Sequence, residues 1–349
     1  MQVNRGFILV VVLWTLLALS VSVSALALWV SRSTVHAVQQ SDERRAQVAR
    51  FSTLETLKFL LATRPPRASG LFLGSNPHEL AQAWRNAPLT NNRVASNRSD
   101  LHFDGTVYRG LEDTLFDIQD EAGLLGLNLF ASDSLEGLLG QAGVPRTRRG
   151  RLVERLRDYI DFLPNPSRDA EYRVSDLPQP PQRSLLSSLE VRNILDWRSE
   201  QALWDRLDWA GYTSTVVGGS INLNTAPEEL LSSLPEIGPG RAELLSEARR
   251  QRSVTSVEAA ARLLGSRLDP FSYRVLPSEV LRITLGDRFT ERSLRYTVGL
   301  TGTSVDRHYG ASKPWRIELV HPWPGADLDP TSAQNVEQSL LAPTQESGG

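Results

Sequence analysis

From Phe7 to Val30 the chain carries no charged side chain. A helix over that stretch would be roughly 36 Å long at about 1.5 Å per residue, enough to cross the ~30 Å hydrocarbon layer of a bilayer. Apolar positions then recur at Val35, Val38, Val48, Leu54, Leu57 and Leu61. That spacing predicts one continuous helix, apolar all round as far as Val30 and amphipathic beyond it. Arg64-Pro65-Pro66 should end the helix, because proline lacks the amide donor and restrains the residue before it.

The pattern then changes. Gly, Asn and Ser dominate from Ser69 to Ser99, which reads as loop with a short helix around His78 to Trp84. Strand-like alternation begins at Leu101, with Val107 to Gly110 and Leu115 to Asp120 as segments. It places Leu115 and Ile118 at a core and makes Asp120-Glu121-Ala122-Gly123 the turn that follows. Residues 131–264 read as mainly helical. Three segments carry a hydroxyl residue with a glutamate three positions later, a pattern that caps a helix start: Ser187 with Glu190, Thr225 with Glu228, and Thr255 with Glu258. Strands return at Val280 to Leu285, Leu294 to Leu300 and Trp315 to Val320. Beyond Pro324 the Pro, Asp, Ser, Gln and Gly content predicts a disordered tail.

The resulting order of helix, strands, helical block and strands gives an α+β chain with a helical domain inserted into it. The expected divisions are a polar leader at 1–6, a helix at 7–64 (7–30 in the membrane, 31–64 amphipathic) and α+β segments at 65–130 and 265–323. The inserted α-helical domain falls at 131–264 and the tail at 324–349. Arg5 on the short side of the apolar run favours a cytoplasmic N-terminus with the remainder exported. Ala25-Leu26-Ala27 offers a competing reading as a signal-peptide cleavage site, although the apolar run continues through Leu28, Trp29 and Val30.

Composition removes several kinds of chemistry. The chain has no cysteine, so disulfides, thiolate metal sites and a cysteine nucleophile are excluded. Net charge is -2, which supplies no overall basic field for nucleic acid. His36, His78, His102, His308 and His321 are scattered without metal-ligand spacing, no phosphate loop of the G-x-x-x-x-G-K type occurs, and no nucleophile can be nominated, so the chain reads as a non-enzyme. Trp84, Trp197, Trp204, Trp209 and Trp315 read as core or interface residues.

Two motifs keep ligand chemistry open. Leu234 to Leu245 has the form of a helix-hairpin-helix, in which the amides of the Gly238 to Gly240 turn could hold a DNA phosphate, with Arg241, Arg249, Arg250 and Arg252 nearby. Glu236, Glu243 and Glu247 offset that charge, which favours a packing turn over nucleic-acid binding. A poorer second copy lies at Leu138 to Pro145, followed by the basic run Arg146 to Arg151 and a helix from Arg151 to Ile160. Asp158, Asp161, Asp169 and Glu171 cluster around a loop and present the hard oxygens that calcium prefers.

Taken in order, four features resemble protein K of the bacterial type II secretion system, a minor pseudopilin family. They are the Arg5-Gly6-Phe7 junction before the apolar helix, Phe116 to Gly123 with Leu127-Asn128, and Leu156 to Asp161 with Asp169 to Tyr172 and Leu185 to Glu190. The fourth is Ile221-Asn-Leu-Asn-Thr-Ala-Pro227, leading to Gly238. The resemblance covers all but the tail and implies a pseudopilin fold with a transmembrane helix, a small antiparallel sheet and the inserted helical domain.

It also implies cleavage by prepilin peptidase between Gly6 and Phe7, methylation of Phe7, and an inner-membrane protein with a periplasmic C-terminal domain. Val11 then stands at the fifth mature position, where most relatives have glutamate. An unpaired buried carboxylate costs several kcal/mol, so valine suits a fibre-tip subunit with no neighbour above it. The implied partners are the minor pseudopilins I and J, with H and the major pseudopilin G further along the fibre. The implied role is to cap a pseudopilus that exports folded proteins across the outer membrane. Calcium at Asp158, Asp161, Asp169 and Glu171 is implied too, although Phe162-Leu163-Pro164 stands where the family has further acidic residues. A membrane-anchored periplasmic DNA-binding protein using the Gly238 turn is the alternative reading.

Overall fold

The computed structural model describes residues 5–73, 78, 101–163, 166–286, 293–300, 315–323 and 328–335. The predicted helix around His78 to Trp84 lies outside this set except for His78, which is helical. The leader lies outside it through residue 4, and so does Trp84.

Helix α1 (Arg5–Thr63) is one unbroken element of 59 residues that stops before Arg64-Pro65-Pro66, as the prolines require. Its side chains from Leu9 to Val30 are all exposed, and its first fully buried positions are Ala46 and Ala49. Thr53, Leu57 and Leu60 continue that face at helical spacing and, with Leu54 and Leu61, bury against a sheet. The same helix therefore changes role along its length, from an apolar rod to the packing partner of a folded head.

In chain order the strands are β1 (Gly70–Leu71), β2 (Leu101–His102), β3 (Asp104–Arg109), β4 (Leu115–Asp120), β5 (Leu125–Gly126), β6 (Thr213–Ser214), β7 (Ile221–Asn222), β8 (Tyr273–Arg274), β9 (Val280–Gly286), β10 (Ser293–Leu300), β11 (Trp315–Trp323) and β12 (Gln334–Asn335). The main sheet has the order β11-β10-β9-β4-β3-β12, antiparallel except for the β12–β3 pair. Register places Ile118 opposite Ile283, and Ile283 opposite Tyr296, so apolar side chains share the face that meets α1. Tyr108 stacks on Phe116 at 5.6 Å, and its hydroxyl accepts from the His102 amide at 2.8 Å.

Strands β4 and β9 are neighbours, with Asp120 opposite Leu281. The chain between them leaves and re-enters at one end of the sheet. That excursion holds its own core, from Leu125 to Tyr273, built on helices α2 (Ser132–Gln141), α3 (Arg146–Ile160), α4 (Pro166–Val174), α5 (Gln201–Arg206), α6 (Trp209–Tyr212), α7 (Glu228–Ser233), α8 (Pro239–Gln251) and α9 (Val257–Leu264). Trp197 and Trp209 sit inside it, edge to face at 5.3 Å, and their indole N–H groups donate to the carbonyls of Leu152 and Ser188, both at 2.9 Å. Tyr159 and Tyr172 are in contact at 6.1 Å, and the Tyr159 hydroxyl donates to Glu190 at 3.3 Å, so the three pieces of the third sequence feature meet in one corner of this core.

Several expectations need correction. The excursion is not purely helical: β6 pairs with β5 and β7 with β8, both parallel, because its two ends must be tied to the flanking segments. Thr225 caps nothing, since Pro227 is the N-cap of α7 and the Thr225 hydroxyl is engaged elsewhere. The cap of α9 is Ser256 rather than Thr255, one residue later, and accepts from the Ala259 amide at 3.1 Å. Ser187 does cap, but on a 3₁₀ helix, Ser188–Asn193. Helix α3 starts at Arg146, five residues before the expected Arg151, because Pro145 serves as its N-cap residue. The tail is not wholly without structure: Gln334 and Asn335 pair with Tyr108 and Arg109, which gives the β3 edge a partner.

Candidate functional site: anchor helix and buried polar junction

Asp120 closes β4 and is fully buried. Its carboxylate accepts five hydrogen bonds. Oδ1 takes the Ala122 amide at 3.1 Å, the Ser278 amide at 2.9 Å and the Ser278 hydroxyl at 2.7 Å, while Oδ2 takes Asn222 Nδ2 at 2.8 Å and the Thr225 hydroxyl at 2.9 Å. Gln119 Nε2 donates to the Thr225 carbonyl at 3.0 Å, and Asn224 holds both the Val254 amide and the Val254 carbonyl. A Cβ on Gly123 would lie 2.7 Å from the Thr225 hydroxyl and 2.8 Å from the Thr225 backbone carbon, so only glycine allows this approach. The Phe116 to Gly123 and Ile221 to Pro227 motifs, far apart in sequence, are thus the two halves of one joint between sheet and excursion.

Beside Asp120, the buried Glu121 carboxylate receives Arg282 Nε at 2.8 Å and Nη2 at 3.1 Å. Arg282 also donates to the carbonyls of Ala210 at 2.5 Å and Thr213 at 2.9 Å, which spends its donors on the excursion. On the same face, burial lowers the Arg295 guanidinium to about 10, and the like charge of Arg282 adds to the effect.

Asp117 is half-buried among these groups. Burial raises its carboxyl from the ordinary 3.8 to about 6, against the opposing pull of Arg295, the Thr284 hydrogen bond and Arg282. A raised folded-state value means that the folded chain holds the proton more tightly than the unfolded chain. The contribution to stability is complete below about pH 4 and is lost as pH rises through 6. After discounting for its partial exposure, the loss is on the order of 1–2 kcal/mol. Urea unfolding of the wild-type chain at pH 5 and pH 7.5 should show this difference, and Asp117→Asn should abolish most of it. An unchanged slope in the variant would assign the pH dependence to other groups.

Other residues singled out in the sequence are placed as follows. Gly6 and Phe7 lie in the first turns of α1, and Val11 is 44% exposed on its apolar surface. Inside the apolar run, the hydroxyls of Thr15, Ser22 and Ser24 donate to the carbonyls of Val12, Ala18 and Ser20, so these three leave no unsatisfied donor on the apolar helix surface. Among the described residues this is the one helix long and apolar enough to cross a membrane.

Gly238, at φ 72, and Gly240 open helix α8 as the hairpin reading requires. Two neighbouring arginines donate to the protein's own carbonyls, the exposed Arg241 to Leu264 at 3.0 Å and the part-buried Arg249 to Leu223 at 3.1 Å and Ala226 at 2.6 Å, while Arg252 is exposed. Arg250 pairs with Glu247 at 3.4 Å. In the basic run, Arg148 pairs with Glu200 at 2.6 Å and Arg151 with Asp196 at 2.8 Å. Of these, Arg249 is the part-buried arginine tied to two backbone carbonyls, and Arg148, Arg151 and Arg250 are exposed ion-pair partners.

The proposed calcium ligands do not converge. Glu171 is held by Arg155 at 2.6 Å, Asp161 accepts the Leu163 amide at 3.0 Å, and no group of three or more acidic or histidine side chains is placed to hold a metal among the described residues. The donor set therefore does not fit the ion in this arrangement.

Sequence reading missed Asn222, Thr225, Ser278 and Arg282 as partners of Asp120 and Glu121. The available signal was a run of three polar residues, Asn222, Asn224 and Thr225, broken only by Leu223 and set in an otherwise apolar stretch.

Fold and site together define an α+β protein on a single helix of membrane-crossing length, with a helical excursion locked to its sheet by a buried polar joint. No family model and no curated protein matches the chain. Among solved structures it is similar to a chain in the crystal structure of the GspK-GspI-GspJ complex from the type 2 secretion system of enterotoxigenic Escherichia coli. The likeness has a TM-score of 0.47 and 14% identity, and covers 81% of this chain and 99% of that one. Similarity at that level assigns no role to any residue.

Proposed function

We propose that the chain is a minor pseudopilin of the protein K type, anchored in the inner membrane with its head in the periplasm and working at the tip of a type II secretion pseudopilus. The observation that carries this reading is α1 itself: exposed and apolar through Val30, then continuous into the core helix of an α+β head. A signal peptide has no reason to continue as the packing spine of the mature fold. The bulk of the excursion would hinder addition of a subunit above it, and Val11 places no carboxylate in the apolar helix surface. The partners in this reading are the minor pseudopilins I and J. The hydrogen bonds of Arg241 and Arg249 to backbone carbonyls favour a packing role for this turn over the DNA-binding alternative.

The test is N-terminal analysis after co-expression with a prepilin peptidase, followed by co-purification with I and J. A chain beginning at methylated Phe7 in a ternary complex is expected. A chain beginning at Leu28 would establish conventional secretion, and recovery at internal fibre positions would contradict the tip role.

A further inference from the structure

A cleft of about 420 Å³ lies between the sheet and the excursion, where β3 and β12 approach α7 and α8. Asp104 and Gln334 line it from the sheet, and Glu228, Ser246, Arg249 and Arg250 from the excursion. Every described residue of its lining is polar, and its two carboxylates and two guanidiniums balance in formal charge. The volume is that of a small-molecule site.

These polar groups do not consume one another. Ser246 is 4% exposed, and its hydroxyl has no hydrogen-bond partner, not even the carbonyl one turn back that a helical serine commonly takes. Arg249 donates to Leu223 and Ala226 through Nη1 alone, which leaves Nε and Nη2 unspent. Asp104 receives the Thr106 amide at 3.2 Å and the Thr106 hydroxyl at 2.6 Å, both on Oδ1, so Oδ2 is open. Burial lowers the Arg249 guanidinium below its ordinary value, and the charges of Asp104 and Glu228 are the first to oppose that shift. One cation and two anions therefore share the cleft, yet the hydrogen bonds of Arg249 go to neither acid.

The lining selects among ligand chemistries. A polyanion would meet Asp104 and Glu228, and among the described residues no three acidic or histidine side chains converge on a cation. An apolar ligand would find no apolar side chain in the described lining. A molecule carrying both charges satisfies both sets of groups, and charge-assisted hydrogen bonds are the strong ones. We propose that this cleft binds a small zwitterion, the chemistry of a free amino acid or a short peptide, with its ammonium toward Asp104 and Glu228 and its carboxylate toward Arg249, Arg250 and the Ser246 hydroxyl. Bound there, it ties β3 to α8 beside the Asp120 joint. This inference is independent of the proposed role in secretion.

Isothermal titration of the full chain in detergent micelles with L-glutamine and with glycyl-L-glutamine tests the proposal and separates the two sources. At least one of them should bind. For whichever binds, the N-acetylated form and the C-terminal amide each lack one charge and should bind about tenfold more weakly, the worth of one charge-assisted hydrogen bond. Glu228→Gln and Ser246→Ala should each weaken binding several-fold. Neither side chain has a hydrogen bond within the described fold to lose, so both variants should keep the wild-type circular dichroism. Absence of binding by both probes at millimolar concentration, equal binding of the blocked forms, or wild-type affinity in both variants would each overturn the zwitterion site.

Discussion

Asp120→Ala is expected to cost about 4 kcal/mol, a large part of the 5–15 kcal/mol that holds a typical domain folded. The substitution removes an acceptor that serves five donors at once, on Ala122, Asn222, Thr225 and Ser278. Each donor left buried without a partner costs roughly 1–3 kcal/mol. These costs do not add, because the loosened joint lets water reach some of the donors. Asp120→Asn should be nearly as damaging, since one face of an amide would present donors to donors. Ser278→Ala removes one hydroxyl and should cost only about 1 kcal/mol. Urea unfolding separates the cases when circular dichroism follows the whole chain and tryptophan emission is read in a background where the five tryptophans outside the excursion, Trp14, Trp29, Trp84, Trp315 and Trp323, are replaced by phenylalanine. The two probes should cease to coincide in Asp120→Ala, because the joint couples the two cores. Coincident transitions and a cost no larger than that of Ser278→Ala would mean that the sheet and the excursion are held together elsewhere.

The parts of the fold governed by local physics were legible in the sequence. The helix from Phe7 follows from an uncharged run and a stop at Pro65, and the burial of Leu115 and Ile118 follows from alternation. The joint was not legible, because the partners of Asp120 lie 102 and 158 residues away in Asn222 and Ser278, and no periodicity reports such pairing. Thr225 shows the cost of this blindness: a hydroxyl three residues before a glutamate looks like a helix cap, yet it is spent on a carboxylate in another element. Arg249 shows the converse, since a positive charge beside a glycine turn suggests phosphate until the structure turns it onto two backbone carbonyls. Loop composition beyond Pro324 predicted a disordered tail but could not register that β3 takes a partner there, which Gln334 and Asn335 supply.

The second large effect is expected at Glu121 and Arg282, and its pattern is more informative than its size. Glu121→Leu and Arg282→Met should each cost about 3–5 kcal/mol, because each leaves a buried charge without its partner. The double variant should be far less damaging than the sum, with a coupling on the order of 2–3 kcal/mol. It should remain below wild type, because the Ala210 and Thr213 carbonyls still lose the donors that Arg282 gave them. The single variants should also differ in their response to acid. A stranded carboxylate can discard its charge by taking up a proton, whereas a stranded guanidinium cannot. Lowering pH from 7.5 to 5 should therefore restore part of the lost stability to Arg282→Met, beyond the wild-type gain attributed to Asp117, and none to Glu121→Leu. In Glu121→Leu the unpaired Arg282 also faces the like charge of Arg295. Additive costs in the double variant, or equal responses to acid in the two singles, would show that the pair does not act as a unit and that the backbone carbonyls alone hold Arg282 in place.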